Sequence, residues 1–392
     1  MAAQYLVLNL PKGLALGSCL DLGPALHKAF KAFNAEGTRT IISASRNAAH
    51  LFRHRFEEAA AQGTRIIVPG PSYQRSFEEI RTLLAAPGAN CLGIPFADNR
   101  ITSEDSYLGL HKLTPLSGIR IGLTNVANSV KWAFKRYTDE DRPDYSFDPG
   151  LGIRGAYFDH EIEPGFPAVN TPFFLNANLE AVNLAARLAG LEHSIRGGTE
   201  KRPMIWTSPK EVEAARRFFD QNSLAPETTI GIHLTASSGD PYKDMLSEDD
   251  FFAVSKYFIN NGHTVLLVAG NTFGTPPNSA DENYDTHIGF LDRLKSEYSS
   301  SRYQNSFRMF YGDVLTQAEI IRLCGRGFLS GETGPAHLAS AVGTPKVTIA
   351  SRQAQADMYM MLSPFEIGLI GLQTYQTVIE TMKQLWERMD SR

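Results

Sequence analysis

Short apolar runs and helical stretches alternate along most of this chain. Tyr5–Leu10 is apolar and β-prone, and after a loop beginning at Pro11 a helical spacing of apolar residues takes over between Leu20 and Phe33. Comparable short runs recur at Thr40–Ser45, Arg65–Pro69, Cys91–Pro95 and Ile119–Thr124, with a helical pattern at Phe77–Leu84 between two of them. Alternation of this kind predicts a parallel sheet wound with helices, because each parallel pair needs a crossover long enough to hold one.

The periodicity fails from Tyr137 to Asn170, where Asp, Gly, Pro and aromatic residues dominate. That predicts long loops of the kind that carry binding contacts. Helical spacing returns at Leu179–Leu191, and a polar, Gly-rich stretch from Arg196 to Pro203 then reads as a linker. The chain is expected to divide into domains of residues 1–195 and 196–392.

The second half alternates more clearly. Helices are expected at Pro209–Gln221, Ser247–Asn260, near Thr286–Tyr298, at Thr316–Leu323, Pro335–Ala341 and Tyr375–Met389. Strands are expected at Thr229–Leu234, Thr264–Ala269, Gly327–Ser330 and Lys346–Ala350.

Composition narrows the function classes. A length of 392 residues suits two α/β domains, and 43% hydrophobic with 20% charged residues is ordinary for a globular chain. No apolar run approaches the ~18 residues of a membrane span, and Met1–Ala15 lacks the pattern of a signal peptide, so a cytoplasmic protein is expected. Cys19, Cys91 and Cys324 lie far apart without a C-x-x-C pair, which predicts packing rather than disulfides or zinc. Acidic and basic residues balance through Ile195, and the formal charge of −4 falls in the remainder. Neither half has the cationic surface that nucleic acid or an anionic membrane attracts.

The chemistry concentrates in Phe328–Ile349, which reads strand, tight turn, helix, Gly stop, strand. Thr333 can cap the helix, Gly334 lets a ligand approach the backbone, Pro335 needs no N–H partner in a first turn, and Gly343 suits a left-handed stop. The N–H groups at such a helix start bind phosphate oxygens, and His337 can add a donor. The second segment, Ile230-Gly-Ile-His-Leu-Thr-Ala-Ser-Ser-Gly-Asp-Pro-Tyr-Lys243, places small and hydroxylated residues at the carboxyl end of a strand, where open α/β sheets bind ligands. Lys243 can meet a diphosphate as a point charge.

Together these segments resemble the nucleotide-sugar domain of glycosyltransferase family 9, the lipopolysaccharide heptosyltransferase-like enzymes. The resemblance is specific over Thr229–Ala350, weaker over Asn176–Asn222, and faint in the N-terminal half. It implies a GT-B fold, in which two Rossmann-like doubly wound domains face each other across a cleft, with the acceptor bound by the first and the donor by the second. It places His233, Thr333, Gly334 and His337 on the family's donor contacts and makes Lys243 the cation that stabilises the leaving diphosphate; Thr235, Ser237, Glu332 and Pro335, in the same two segments, complete the candidate donor-binding set. Strand-end packing is an alternative role for His233. Glu332 stands where the family has Asp, and Leu234-Thr235 where it has Pro-Gly, so the sugar contact is expected to differ.

The implied reaction is inverting transfer without a metal or other cofactor, and an ADP-heptose is the first donor to test. With no net charge in the first half, a soluble acceptor such as a natural product or a protein stands beside lipopolysaccharide. The family's general base is an Asp in the first loop. Here Asp21 is the only carboxylate between Pro11 and Pro24, although the family's Gly-Asp pair is missing. The Asp159-His-Glu-Ile-Glu163 cluster is the rival base. His50 and His54 lack a third ligand, and no metal is assigned to them. A nucleotide-sugar epimerase of related fold and a nucleotide-sugar-binding subunit without catalysis are the alternative functions.

Overall fold

The computed structural model describes residues 5–10, 16–34, 38–44, 46–67, 91–95, 119–123, 160–162, 173–191, 202–233, 246–272, 293, 296–299, 303–350 and 365–391. The chain divides into two units, Met1–Trp206 and Thr207–Arg392.

The first unit contains strands β1 Tyr5–Asn9, β2 Arg39–Ser43, β3 Arg65–Ile67, β4 Cys91–Pro95, β5 Ile119–Leu123 and β6 His160–Ile162. They pair in parallel in the order β3-β2-β1-β4-β5-β6. Its described helices are α1 Leu16–Asn34, α2 Arg46–Leu51, α3 Arg53–Ala61 and α4 Phe173–Leu188. Strand β6 corrects the expectation of loops from Tyr137 to Asn170, since it pairs with β5 through Ile121↔His160. Three residues are too few to show a period of two, and short strands are what sheet edges tolerate. The expected helix Phe77–Leu84 lies outside the described residues.

Helix α1 explains why the first unit runs on to Trp206. Its Leu20, Ala25, Leu26, Ala29, Phe30 and Phe33 are buried at helical spacing, and α4 packs against it. Pro24 inside the helix has no N–H for the Leu20 carbonyl, which accepts instead from the Met204 N–H at 3.2 Å. Gly23 makes room for that approach, because a Cβ there would fall 2.8 Å from the Met204 carbonyl oxygen. Trp206 then lies against His27 at 6.2 Å and meets Phe52 edge-on at 5.9 Å. Residues 202–206, on the far side of the expected boundary, therefore pack on the first unit.

The second unit contains β7 Thr229–His233, β8 Thr264–Thr272, β9 Phe307–Asp313, β10 Phe328–Gly331, β11 Lys346–Ala350 and β12 Glu366–Ile370. All pair in parallel, in the order β12-β11-β10-β7-β8-β9. Every residue of β7, β10 and β11 is buried, as central strands covered on both faces must be. The described helices include α5 Pro209–Gln221, α6 Glu248–Asn260, α7 Val314–Arg322, α8 Gly334–Val342 and α9 Tyr375–Asp390. Side-chain caps punctuate several starts. Ser208 and Glu211 form a capping box on α5, Ser247 caps α6, Asp313 caps α7 and Thr374 caps α9. Strands β9 and β12, the two edges, were not expected from the sequence.

Helices α6 and α9 share one core with the sheet. Phe251, Val254, Phe258, Met382, Leu385 and Trp386 pack with Ile230, Ile232, Val265, Leu267, Leu329 and Val347. The end of α9 is held by Trp386, whose Nε1 donates to the Arg326 carbonyl at 2.7 Å while the Arg326 guanidinium lies 4.9 Å above the ring. Arg326 also reaches Asp390 at 3.3 Å, and His263 packs on Trp386 at 4.9 Å.

Burial holds the His263 pKa below its ordinary value, the Arg326 charge lowers it further, and a bond with the Thr228 backbone partly opposes both. A depressed histidine pKa means that the unfolded chain takes up the proton first. This contribution to stability is complete above about pH 6.5 and is lost as pH falls through the folded value. Melting temperature is expected to decline from pH 7.5 to 5.5, and His263→Gln should flatten the decline in a calorimetric pH series.

Candidate functional site

Strands β7 and β10 are neighbours although they are not consecutive, with Ser330 opposite His233 in register. From β7 the chain proceeds to β8 and β9 on one side, and from β10 to β11 and β12 on the other. Where successive connections diverge like this, a crevice opens beyond the carboxyl ends of the strands. The described parts of the two segments singled out in the sequence adjoin there: His233 ends β7, and Glu332 and Thr333 follow β10.

The turn after β10 is built from buried polar groups. The Glu332 N–H donates to the Ile349 carbonyl at 2.9 Å, which carries the β10–β11 ladder one residue past the strand. Thr333 occupies the N-cap position with extended backbone, φ −140° and ψ 173°, but its side chain does not cap the helix, contrary to expectation. Its hydroxyl turns to the Ser330 hydroxyl at 3.2 Å and the Gly331 carbonyl at 3.4 Å. The Thr333 carbonyl instead receives the N–H groups of Ala336 at 3.0 Å and His337 at 3.4 Å. Helix α8 therefore starts with Gly334 and Pro335 and no side-chain cap, and it stops at Gly343 with φ +79°, as the sequence predicted.

Glu332 and His337 form a pair across this start. The His337 Nε2 lies 2.9 Å from Glu332 Oε1, and the two residues are 5% and 9% exposed respectively. Beneath them, the Lys346 ammonium donates to the Ala336 carbonyl at 2.9 Å and pairs with Glu366 at 2.9 Å. Thr348 donates to the same Glu366 carboxylate at 3.1 Å. A buried charge pair with further bonds to the Ala336 carbonyl and the Thr348 hydroxyl holds the first turn of α8 against β11 and β12. Sequence reasoning missed this support. A Lys opening an apolar strand reads as a surface residue, and Glu366 belongs to an edge strand with no clear pattern.

His233 is buried, and its Nδ1 lies 2.6 Å from the Val268 carbonyl. A carbonyl only accepts, so Nδ1 carries the proton and the ring bridges β7 to β8. The β8–β9 register shifts between Val268 and Gly270, a bulge where the strand reaches the crevice. Strand-end packing is thus one role of His233 in this structure.

Thr235, Ser237 and Lys243 lie outside the described residues. Asp21 lies within α1, which begins at Leu16, rather than in the preceding loop, and it is 1% exposed. Of the rival cluster, 160–162 form β6, and Asp159 and Glu163 lie outside the described residues. Cys19 and Cys324 are buried, and burial pushes the Cys324 pKa up. Among the described residues no helix is long and apolar enough to cross a membrane.

No protein-family model matches the chain, and no curated protein matches it. Solved structures do. A glycosyl transferase family 9 protein from Veillonella parvula gives a TM-score of 0.62 at 12% identity, over 100% of this chain and 97% of the other. The E. coli heptosyltransferase WaaC, solved with ADP, gives 0.58 at 12% identity over 97% and 99%. The UDP-GlcNAc 2-epimerase of Methanocaldococcus jannaschii gives 0.50 at 10% identity over 97% and 92%. The chain thus has the GT-B fold, with two Rossmann-like units of identical strand order. The family 9 resemblance read in the sequence extends to the fold of the whole chain.

The Lys346–Glu366 pair generates a stability prediction. Lys346→Met strands a buried carboxylate and should cost about 3–5 kcal/mol, whereas Lys346→Met with Glu366→Leu should recover most of that loss. Urea unfolding of the three chains measures it.

Proposed function

We propose that the protein is a glycosyltransferase whose C-terminal unit binds a nucleotide-activated sugar beyond the ends of β7 and β10. One observation carries the reading: His233, at the end of the described part of one candidate segment, is in register with Ser330, which leads into the turn of the other, at the order reversal of the sheet. The fold is that of a heptosyltransferase solved with ADP, which supports ADP-heptose as the first donor to test. The start of α8, with no side-chain cap, is suited to phosphate oxygens.

In the proposed reaction the acceptor hydroxyl oxygen attacks the anomeric carbon as the bond from that carbon to the diphosphate oxygen breaks, inverting the centre. A carboxylate takes the hydroxyl proton, and Asp21 is the first candidate, with the Asp159–Glu163 cluster as its rival. Lys243 and the α8 start stabilise the negative charge of the departing diphosphate without a metal. The N-terminal domain holds the acceptor, a soluble molecule or lipopolysaccharide. An epimerase shares the fold at a TM-score of 0.50, and product analysis separates the readings. Transfer releases nucleoside diphosphate only when an acceptor is present.

A thermal shift with ADP, UDP and GDP tests the donor site, since a ligand at 100 times its Kd stabilises by about 2.7 kcal/mol. No shift with any of the three removes the proposal. Lys243→Ala should lower turnover about 100-fold. Asp21→Asn should abolish turnover and leave nucleotide binding intact, and a fully active Asp21→Asn chain would move the base to the 159–163 cluster.

A further inference from the structure

We infer that the end of α9 is an acid-released clasp: protonation of His263 undocks the turns that carry Leu385 and Trp386 while the sheet of the second unit stays folded. The Trp386 indole is where this end of the helix is held. Phe258 lies 5.7 Å from it, His263 4.9 Å and the Arg326 guanidinium 4.9 Å, and its Nε1 donates to the Arg326 carbonyl at 2.7 Å. Asp390, one turn further on, pairs with Arg326 at 3.3 Å. Arg326 thus grips α9 twice over, through its own carbonyl and through its charge.

A proton on His263 sets a second cation against the same indole. The charged groups that face the ring are Arg326, from the turn before β10, and through it Asp390 on α9. Helix α6 contributes Phe258, and the segment before β7 contributes the Thr228 backbone. The Nδ1 of His263 is buried without a well-formed hydrogen bond, and the Thr228 backbone offsets only part of the cost of charging the ring. A charged ring is therefore better placed in water than beside Arg326, and Trp386 is what covers it from α9. The helix also has a place to part. Leu385 and Trp386 are its last buried residues, whereas Val378, Ile379 and Met382 lie one or two turns earlier in the core shared with α6. Thr228, His263 and Arg326 sit at the amino ends of β7, β8 and β10, and the proposed donor site borders the carboxyl ends of β7 and β10, so this inference stands apart from that reading.

Hydrogen exchange of the full chain from pH 7.5 to 5, with protection corrected for the intrinsic rate at each pH, tests it. The released ring takes up the proton before the docked one, so falling pH favours release. Below the ordinary histidine value of 6.5, and down to the lower value of the docked ring, protection of the amides from Leu385 to Asp390 should fall about tenfold per pH unit. Amides of Ile230, Ile232 and Leu329 in the sheet should keep theirs. His263→Gln cannot take up the proton and should hold the end of α9 steady across the series, and His263→Asn serves if the Gln chain fails to fold. Protection at the end of α9 that ignores pH, an equal decline in the neutral variant, or a decline shared by the sheet overturns the inference.

Discussion

Strands β7 and β10 pair side by side while the chain leaves them in opposite directions, and the second unit is organised around that pairing. A parallel pair cannot be closed by a tight turn, so each strand hands its chain to a helix at its carboxyl end. When those connections depart to opposite sides, a crevice is expected beyond the carboxyl ends of the pair. Everything proposed for this site depends on that gap, because the turn after β10 and the end of β7 are the residues that border it.

Bordering a crevice with buried polar side chains is costly unless each finds a partner. Ser330 and Thr333 share a hydrogen bond, Glu332 meets His337, and Lys346 joins Glu366 to the Ala336 carbonyl. His233 spans to the Val268 carbonyl beside a bulge in β8. The result is a helix start whose flanking groups are held by one another, so its orientation is set before any ligand arrives. Because Thr333 spends its hydroxyl on Ser330 and Gly331, that helix start has no side-chain cap.

The first unit repeats the strand order of the second with different local means. There the informative detail is the Gly23-Pro24 pair within α1, which at once frees the Leu20 carbonyl and clears space for Met204. The segment 202–206 is thereby strapped to the first unit up to Trp206, and the division of the chain follows from it.

Periodicity and punctuation were legible in the sequence because they are local. Helix α5 was read at the bounds it has, β11 likewise, and the start of α8 at Gly334-Pro335 and its left-handed stop at Gly343 could be read as well, although the expected Thr333 cap is not made. Edge strands β9, β12 and β6 escaped, since each is short or only partly buried and shows little alternation. The engagement of Thr333 with Ser330, the reach of Glu332 to His337, and the Lys346–Glu366 and Leu20–Met204 contacts were decided by tertiary structure. A residue type restricts which bonds a side chain can make, but the partner it takes is chosen by distance. Distance between residues such as 20 and 204 exists only once the chain has folded.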